Sequence, residues 1–271
     1  MPFAPGSRVF PISRHDAGKT EAADDAVAIE EPLELRVGGR SVAVVMRTPG
    51  HDRELAAGFL VTEGLLRSRD DVLDLVRCGR EAGGEPNENV LDVLLAPGAE
   101  FDVARLTRHV FTSSSCGICS KATIAAVRGQ FAPLAGTMVP RRAVLAALPE
   151  RLRAEQAGFA ATGGLHASAL FEADGTLVAV REDVGRHNAL DKLVGRAFFA
   201  GELPLRDKLL LVSGRVSFEL MQKALAAGIP VVAAISAPTS AAVEFARASG
   251  QVLAGFVRGA RMNVYAGTLA E

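Results

Sequence analysis

The sequence has few cysteines, almost no net charge and no long apolar run, and each shortage excludes a class of protein. Three cysteines, Cys78, Cys116 and Cys119, stand among 271 residues. An odd count in a chain of this size argues against a disulfide framework. Lys and Arg total 30 against 31 Asp and Glu, a formal net charge of −1. No global field therefore draws the chain to nucleic acid or to an anionic membrane, although local basic patches can still hold phosphate groups. The longest apolar runs, such as residues 229–235, fall far short of the roughly 20 residues a helix needs to cross hydrocarbon. The first ten residues carry Pro2, Pro5 and Arg8 and no apolar stretch behind a basic start. The expectation is a protein without a secretory signal, working in the cytoplasm, where thiols stay reduced.

What is present is apolar material and punctuation. Hydrophobic residues make up 49% of the chain, enough for a substantial core. Residues 1–25 show no periodicity and read as a loose arm. Residues 33–37 and 41–47 alternate around Gly38-Gly39, the pattern of a β-hairpin. Asp52 reads as a helix N-cap with Glu54 in the first turn, and Leu55, Phe59 and Leu66 recur behind it. Strands are expected at 72–76 and 90–95, with turn composition at 83–89 between them. A helix is expected over 121–128 and another over 141–157, broken at Pro149.

From Gly163 onward strands and helices alternate. Residues 167–171 and 177–181 form a hairpin around Asp174-Gly175, and Leu190, Leu193, Val194, Ala197 and Phe198 mark one face of a helix. Apolar strands at 209–212, 229–235 and 252–257 alternate with helices ending at Ala227 and spanning 239–249. A last strand covers 262–265. Continuous apolar strands in such an alternation predict an α/β sheet covered on both faces.

The segment with the most chemistry is Ser113-Ser114-Ser115-Cys116-Gly117-Ile118-Cys119-Ser120-Lys121. Two cysteines three apart can share a metal, form a disulfide or serve one reactive centre, and the thiolate is the working form in each case. Cys116 precedes an expected helix start and Lys121 is a nearby cation; both lower a thiol pKa. A structural zinc site takes four ligands, often two such pairs, and only one pair exists here; His109 and His166 lack diagnostic spacing. A thioredoxin-like redox pair follows a strand in a βαβ unit, which the Ser-rich approach does not resemble. A persulfide carrier needs one accessible, activated thiol on a loop, and the Ser and Gly flanks suit it. Two inert packed thiols would need less polar neighbours. Cys78 reads as a small buried hydrophobe.

Several further segments accompany the cysteine pair in order: Thr48-Pro49-Gly50 through Glu63-Gly64, Thr162-Gly163-Gly164-Leu165-His166-Ala167, Arg181-Glu182-Asp183-Val184-Gly185-Arg186-His187-Asn188-Ala189, Ser213-Gly214-Arg215 and residues 228–237. With these the chain resembles the FdhD family, sulfur carriers required for formate dehydrogenase activity. The resemblance implies a mixed α/β (α+β overall) fold. A smaller N-terminal α+β domain, 26–105, precedes a three-layer, cytidine-deaminase-like larger domain, 106–271, which opens with the reactive loop 111–120. It implies a homodimer and two protein partners, a cysteine desulfurase that donates sulfur and a formate dehydrogenase. The client is the molybdenum cofactor, bis(molybdopterin guanine dinucleotide), with no metal held permanently. Cys116 maps to the family's persulfide carrier. The cofactor contact maps to Phe256, Val257, Arg258, Gly259, Ala260 and Arg261.

The residues suit these roles. Cys116 thiolate attacks the outer sulfur of a donor persulfide and the donor thiol leaves. Cys119 can then attack the inner sulfur of Cys116, expelling sulfide and leaving a disulfide. Arg258 and Arg261 match phosphate oxygens, Gly259 between them allows close backbone approach, and Ser213-Gly214-Arg215 joins a strand to a helix start, a natural phosphate position. A chaperone that binds the finished cofactor without sulfur chemistry is the alternative. Residues 164–168 share the first histidine of the zinc deaminases' H-x-E element, but Ser168 stands where glutamate is needed and no cysteine pair follows. Asp183 is placed to cap a helix, and Glu182 and Asp183 to hold Arg186 or Arg215.

Overall fold

The computed structural model describes residues 6–79, 87–99, 131–136 and 138–271. Cys116, Cys119, the loop 111–120 and the helix expected at 121–128 lie outside the described residues.

The chain opens on a hairpin of β1 (Ser7–Asp16) and β2 (Lys19–Ala28), reversing through Ala17 and Gly18 at φ 46° and 83°. From Ser7 onward this corrects the loose arm expected for 1–25, of which residues 1–5 lie outside the described residues. The hairpin was illegible because most residues of both strands are exposed, so no apolar alternation marks a buried face. Strands β3 (Glu31–Val37) and β4 (Arg40–Arg47) pair as expected through Gly38 and Gly39, both at positive φ. With β5 (Val72–Arg77) and β6 (Val90–Leu95) they form a four-stranded sheet of order β4-β3-β6-β5. Cys78, just past β5, is partly exposed rather than buried.

Helix α1 (Asp52–Thr62) buries Leu55, Ala56, Leu60 and Val61. Its N-cap is His51, in the left-handed region at φ 57°, not Asp52 as expected. The Asp52 carboxylate is engaged instead by Arg47 at 3.0 Å, with both side chains buried.

The larger sheet has six strands in the order β12-β11-β10-β9-β7-β8. They are β7 (His166–Phe171), β8 (Leu177–Asp183), β9 (Leu209–Val212), β10 (Val231–Ala234), β11 (Val252–Arg258) and β12 (Arg261–Ala266). β9, β10 and β11 run parallel; β7 and β12 are antiparallel to their neighbours. Alternation sorts each strand between two cores: Leu209 and Leu211 face α2 (Arg142–Glu155), whereas Leu210 and Val212 face the opposite side. That opposite side is covered by α4 (Arg186–Ala200), α5 (Phe218–Ala226) and α6 (Ser240–Ser249). The result is the three-layer larger unit expected. Helix α2 continues through Pro149, because Leu145, Leu148 and Leu152 bury completely on either side of it; the break comes at Gln156, before α3 (Ala157–Thr162).

The two units meet where α1 crosses α4. A Cβ on Gly58 would lie 1.8 Å from the Asp191 carbonyl oxygen, and one on Gly195 would lie 1.8 Å from that of Glu54. Only two glycines let the backbones approach this closely. Among the described residues, no helix is long and apolar enough to cross a membrane.

Candidate functional site

Topology gathers most of the chemistry-bearing residues along one edge of the larger sheet. The parallel strands β9, β10 and β11 end there, and β7, running the other way, starts there with His166 opposite Asp183 at the end of β8. The carboxyl edge of parallel strands is where open α/β sheets place ligands. Ser213-Gly214-Arg215 leaves β9 at this edge. Phe256 leaves the β10 partner ladder there too, its N–H donating to Ser236 O at 3.1 Å.

The predicted cofactor segment forms the β11–β12 turn at the same edge, with Arg258 opposite Arg261. Phe256 is exposed at φ 53°, Val257 is fully buried in the core under α2, and Arg258, Gly259, Ala260 and Arg261 are exposed. Gly259 has φ 56°, the left-handed conformation that a two-residue reversal requires. The predicted catalytic pair, Cys116 and Cys119, lies outside the described residues.

Asp183 is fully buried and acts as a hub. Its carboxylate pairs with Lys192 Nζ at 2.7 Å. It accepts hydrogen bonds from Thr48 N at 3.2 Å, Gly185 N at 2.8 Å and Asn188 Nδ2 at 2.9 Å. Lys192 Nζ also donates to Thr48 O at 2.9 Å, and Val184 N donates to Thr48 Oγ1. The hub therefore ties the Thr48-Pro49-Gly50 loop to the start of α4. Glu182 accepts from Gly158 N and Phe159 N at 2.9 and 2.8 Å, supplying the start of α3. Neither carboxylate holds Arg186 or Arg215, contrary to the expectation from their spacing. A charged run gives no hint of which partner each member will choose.

His166 is half-buried against Gly214; a Cβ on Gly214 would lie 3.1 Å from His166 Nδ1 and 3.8 Å from Arg186 Cβ. Burial, then the Arg186 and Arg215 charges, push the His166 pKa down, and Asp183 only partly opposes them. These surroundings favour the neutral imidazole. Ser168, at the position where a deaminase carries glutamate, is buried with Oγ lacking a hydrogen-bond partner. His187 sits beside His166 on α4, with Nε2 3.2 Å from Ser217 Oγ and 3.3 Å from Glu219 Oε2. Burial, reinforced by Arg186 and Lys223, lowers its pKa to about 4.

A second group of arginines lines an open cleft of about 770 Å³ between α1 and β5. Arg53 reaches Leu75 O and Asp74, Arg77 reaches Asp52 and Glu88, and Arg69 donates to Val72 O while lying over the Phe199 ring. Behind it, Glu54 accepts two hydrogen bonds from Arg181 and faces His51, and these partners outweigh burial and hold its pKa down to about 2.

Comparison with known proteins accounts for nearly the whole chain. A model of the FdhD/NarQ family matches residues 28–270. A protein of Streptomyces avermitilis named "Sulfur carrier protein FdhD" is 54% identical over 254 residues, 92% of this chain and 90% of that one. One of the same name from Mycolicibacterium paratuberculosis is 52% identical over 257 residues, 94% of each. The crystal structure of a formate dehydrogenase accessory protein from Desulfotalea psychrophila superposes with a TM-score of 0.75 at 23% identity, covering 97% of this chain and 98% of that one, which shows the shared fold. The chain belongs to the FdhD/NarQ family.

Proposed function

We propose that the protein is a cytoplasmic sulfur carrier that takes a persulfide from a cysteine desulfurase on Cys116 and passes the sulfur to a bis(molybdopterin guanine dinucleotide) molybdenum cofactor, ahead of that cofactor's insertion into formate dehydrogenase. The observation that carries this reading is the family match over 28–270, a stretch that includes both Cys116 and Cys119, together with relatives that are named sulfur carriers at 54% identity. The sheet edge supports the client half of the reading. It presents Arg215, Arg258 and Arg261 with no ion-pair partner among the described residues, on the edge where α5 begins, which suits the phosphates of a nucleotide-bearing cofactor.

In this mechanism Cys116 thiolate attacks the outer sulfur of the donor persulfide. A sulfur–sulfur bond forms on Cys116, the donor's bond breaks, and the donor thiolate departs. Cys119 thiolate then attacks the inner sulfur, releases hydrosulfide to the cofactor, and leaves a Cys116–Cys119 disulfide that a thiol reductant resets. The test is mass spectrometry after incubation with a cysteine desulfurase and cysteine. The expected result is a gain of one sulfur atom, about 32 Da, on Cys116, absent from Cys116→Ala. No gain on the wild-type protein refutes the carrier role. Guanine-nucleotide binding that persists without either cysteine, in a protein that never gains sulfur, would favour a cofactor chaperone instead.

A further inference from the structure

The β1–β2 ribbon is the part of the molecule least supported by its own fold. It is a sheet of two strands only, each of 10 residues. The body holds it at its base, where Ile29 N donates to Gly6 O at 2.8 Å, and through α3. Among the described residues, neither outer edge pairs with a further strand. A two-stranded hairpin by itself is marginal in water and gains stability from another strand or a covering element. Phe10 and Val27 are exposed diagonal neighbours on one face, with Ile12 and Ala23 beside them. The family match over 28–270 takes in only the last residue of the ribbon.

The two edges are not alike. Pro11 stands opposite Asp24. Proline has no N–H to give to the ladder, so the backbone groups of this pair point outward. The two-residue turn at Ala17 and Gly18, closing on the pair Asp16 and Lys19, sets the same phase. Alternation then turns the N–H and C=O of Thr20, Ala22 and Asp24 outward on β2, and all three residues are exposed. Pro11 interrupts the β1 edge and guards it against further pairing, whereas β2 has no proline. β2 is also the acidic strand. It carries Glu21, Asp24 and Asp25 against a single base, Lys19, at the turn. Arg14 meets Glu21 at 3.9 Å, but Asp24 and Asp25 have no ion-pair partner among the described residues.

We propose that the β2 edge, over residues 19–25, takes an extended segment of a partner protein as a third strand, one that alternates basic and apolar side chains. Main-chain hydrogen bonds to the outward groups of Thr20, Ala22 and Asp24 supply the attachment, and the side chains supply the selectivity. The apolar side chains of the added strand extend the Phe10 face, and the basic ones fall beside Asp24 on the other. A second copy of this chain is disfavoured here, because β2 against β2 sets Glu21, Asp24 and Asp25 against like charge. Docking at this edge depends on the ribbon alone and is independent of the sulfur chemistry above.

Fluorescence anisotropy on the full chain tests it, with a short labelled peptide of alternating lysine and valine as the probe and its glutamate-for-lysine counterpart as the control. The lysine peptide should bind the wild-type protein and slow amide exchange at Ala22 and Asp24 in NMR spectra; the glutamate peptide should do neither. Ala22→Pro removes one outward N–H while sparing the ladder, and should weaken binding by roughly tenfold or more. Asp24→Lys combined with Asp25→Lys should weaken the lysine peptide by a similar factor and admit the glutamate peptide. Should Ala22→Pro unravel the ribbon, the charge reversal carries the same expectation with the backbone untouched. No binding of the lysine peptide to the wild type, or binding that survives both the proline and the charge reversal, overturns the docking edge. Binding without slowed exchange at Ala22 and Asp24 reduces to general charge attraction and overturns strand addition. Sedimentation in which Ala22→Pro breaks up an assembly of this chain, while the peptide never binds, assigns the edge to a second copy and likewise overturns it.

Discussion

Two arginine-bearing regions of this protein differ in whether their charge is already answered. Around the cleft between α1 and β5, Arg47, Arg53, Arg77 and Arg181 each meet a carboxylate, and Arg69 meets a carbonyl and a ring. At the edge of the larger sheet, Arg186, Arg215, Arg258 and Arg261 have no ion-pair partner among the described residues. In the first pattern Arg181 and Arg69 reach across between the two units, and Arg47, Arg53 and Arg77 brace the smaller one. The second leaves positive charge facing the place where strands end and helices begin, which is what an anionic ligand requires. Cation count alone does not tell a binding face from a structural joint; the distribution of carboxylates does.

Substitutions should separate the regions by their effect on stability. The largest loss is expected for Asp183→Ala, which strands the buried Lys192 ammonium and frees the Thr48 loop; unfolding by urea should show about 3–5 kcal/mol lost. A loss under 1 kcal/mol would mean that the hub does not hold the units together. Gly195→Ala comes next. Its Cβ would meet the Glu54 backbone at 1.8 Å, so α1 and α4 must separate, and about 1–3 kcal/mol should be lost in the same assay.

A smaller effect is expected at Glu54 and depends on pH. Its pKa is lowered to about 2 in the folded protein from an ordinary 4.5, so its contribution is fully present above about pH 4.5 and disappears as pH falls toward 2. Solvent screening limits that contribution to about 1 kcal/mol. Glu54→Gln should therefore lower stability at pH 7 and flatten the acid limb of the stability curve between those values. An unchanged acid limb would show that the Arg181 pair contributes nothing. The smallest stability effect belongs to the other region: at the exposed Arg258, Arg258→Gln should change stability by no more than about 0.5 kcal/mol in the same urea assay, and a larger loss would show that this edge also braces the fold.

Much of the architecture was readable before the structure, for identifiable reasons. The runs at 209–212 and 229–235 are apolar on every residue because both sheet faces are covered, and Gly38-Gly39 marks a reversal that few other pairs permit. The β1–β2 hairpin escaped notice because it buries too little to leave a pattern. Pro149 misled because burial of Leu145, Leu148 and Leu152 outweighs one missing backbone donor. In the site, Ser213-Gly214-Arg215 and the 256–261 turn were legible as phosphate-type segments, each from its own residues. Their meeting on one edge was not, since it follows from the order of strands in the sheet. The role of Asp183 was hidden as well, because its partners Thr48 and Lys192 lie on separate elements and Thr48 is 135 residues away.

The account stands most directly on the journey of one sulfur atom. Protein charged at Cys116 with radiolabelled sulfur, freed of donor and mixed with unsulfurated molybdenum cofactor, should lose its label to the cofactor in a single turnover, and Cys116→Ala protein taken through the same steps should deliver none. Label that stays on the protein, or that reaches the cofactor equally well without Cys116, would contradict it.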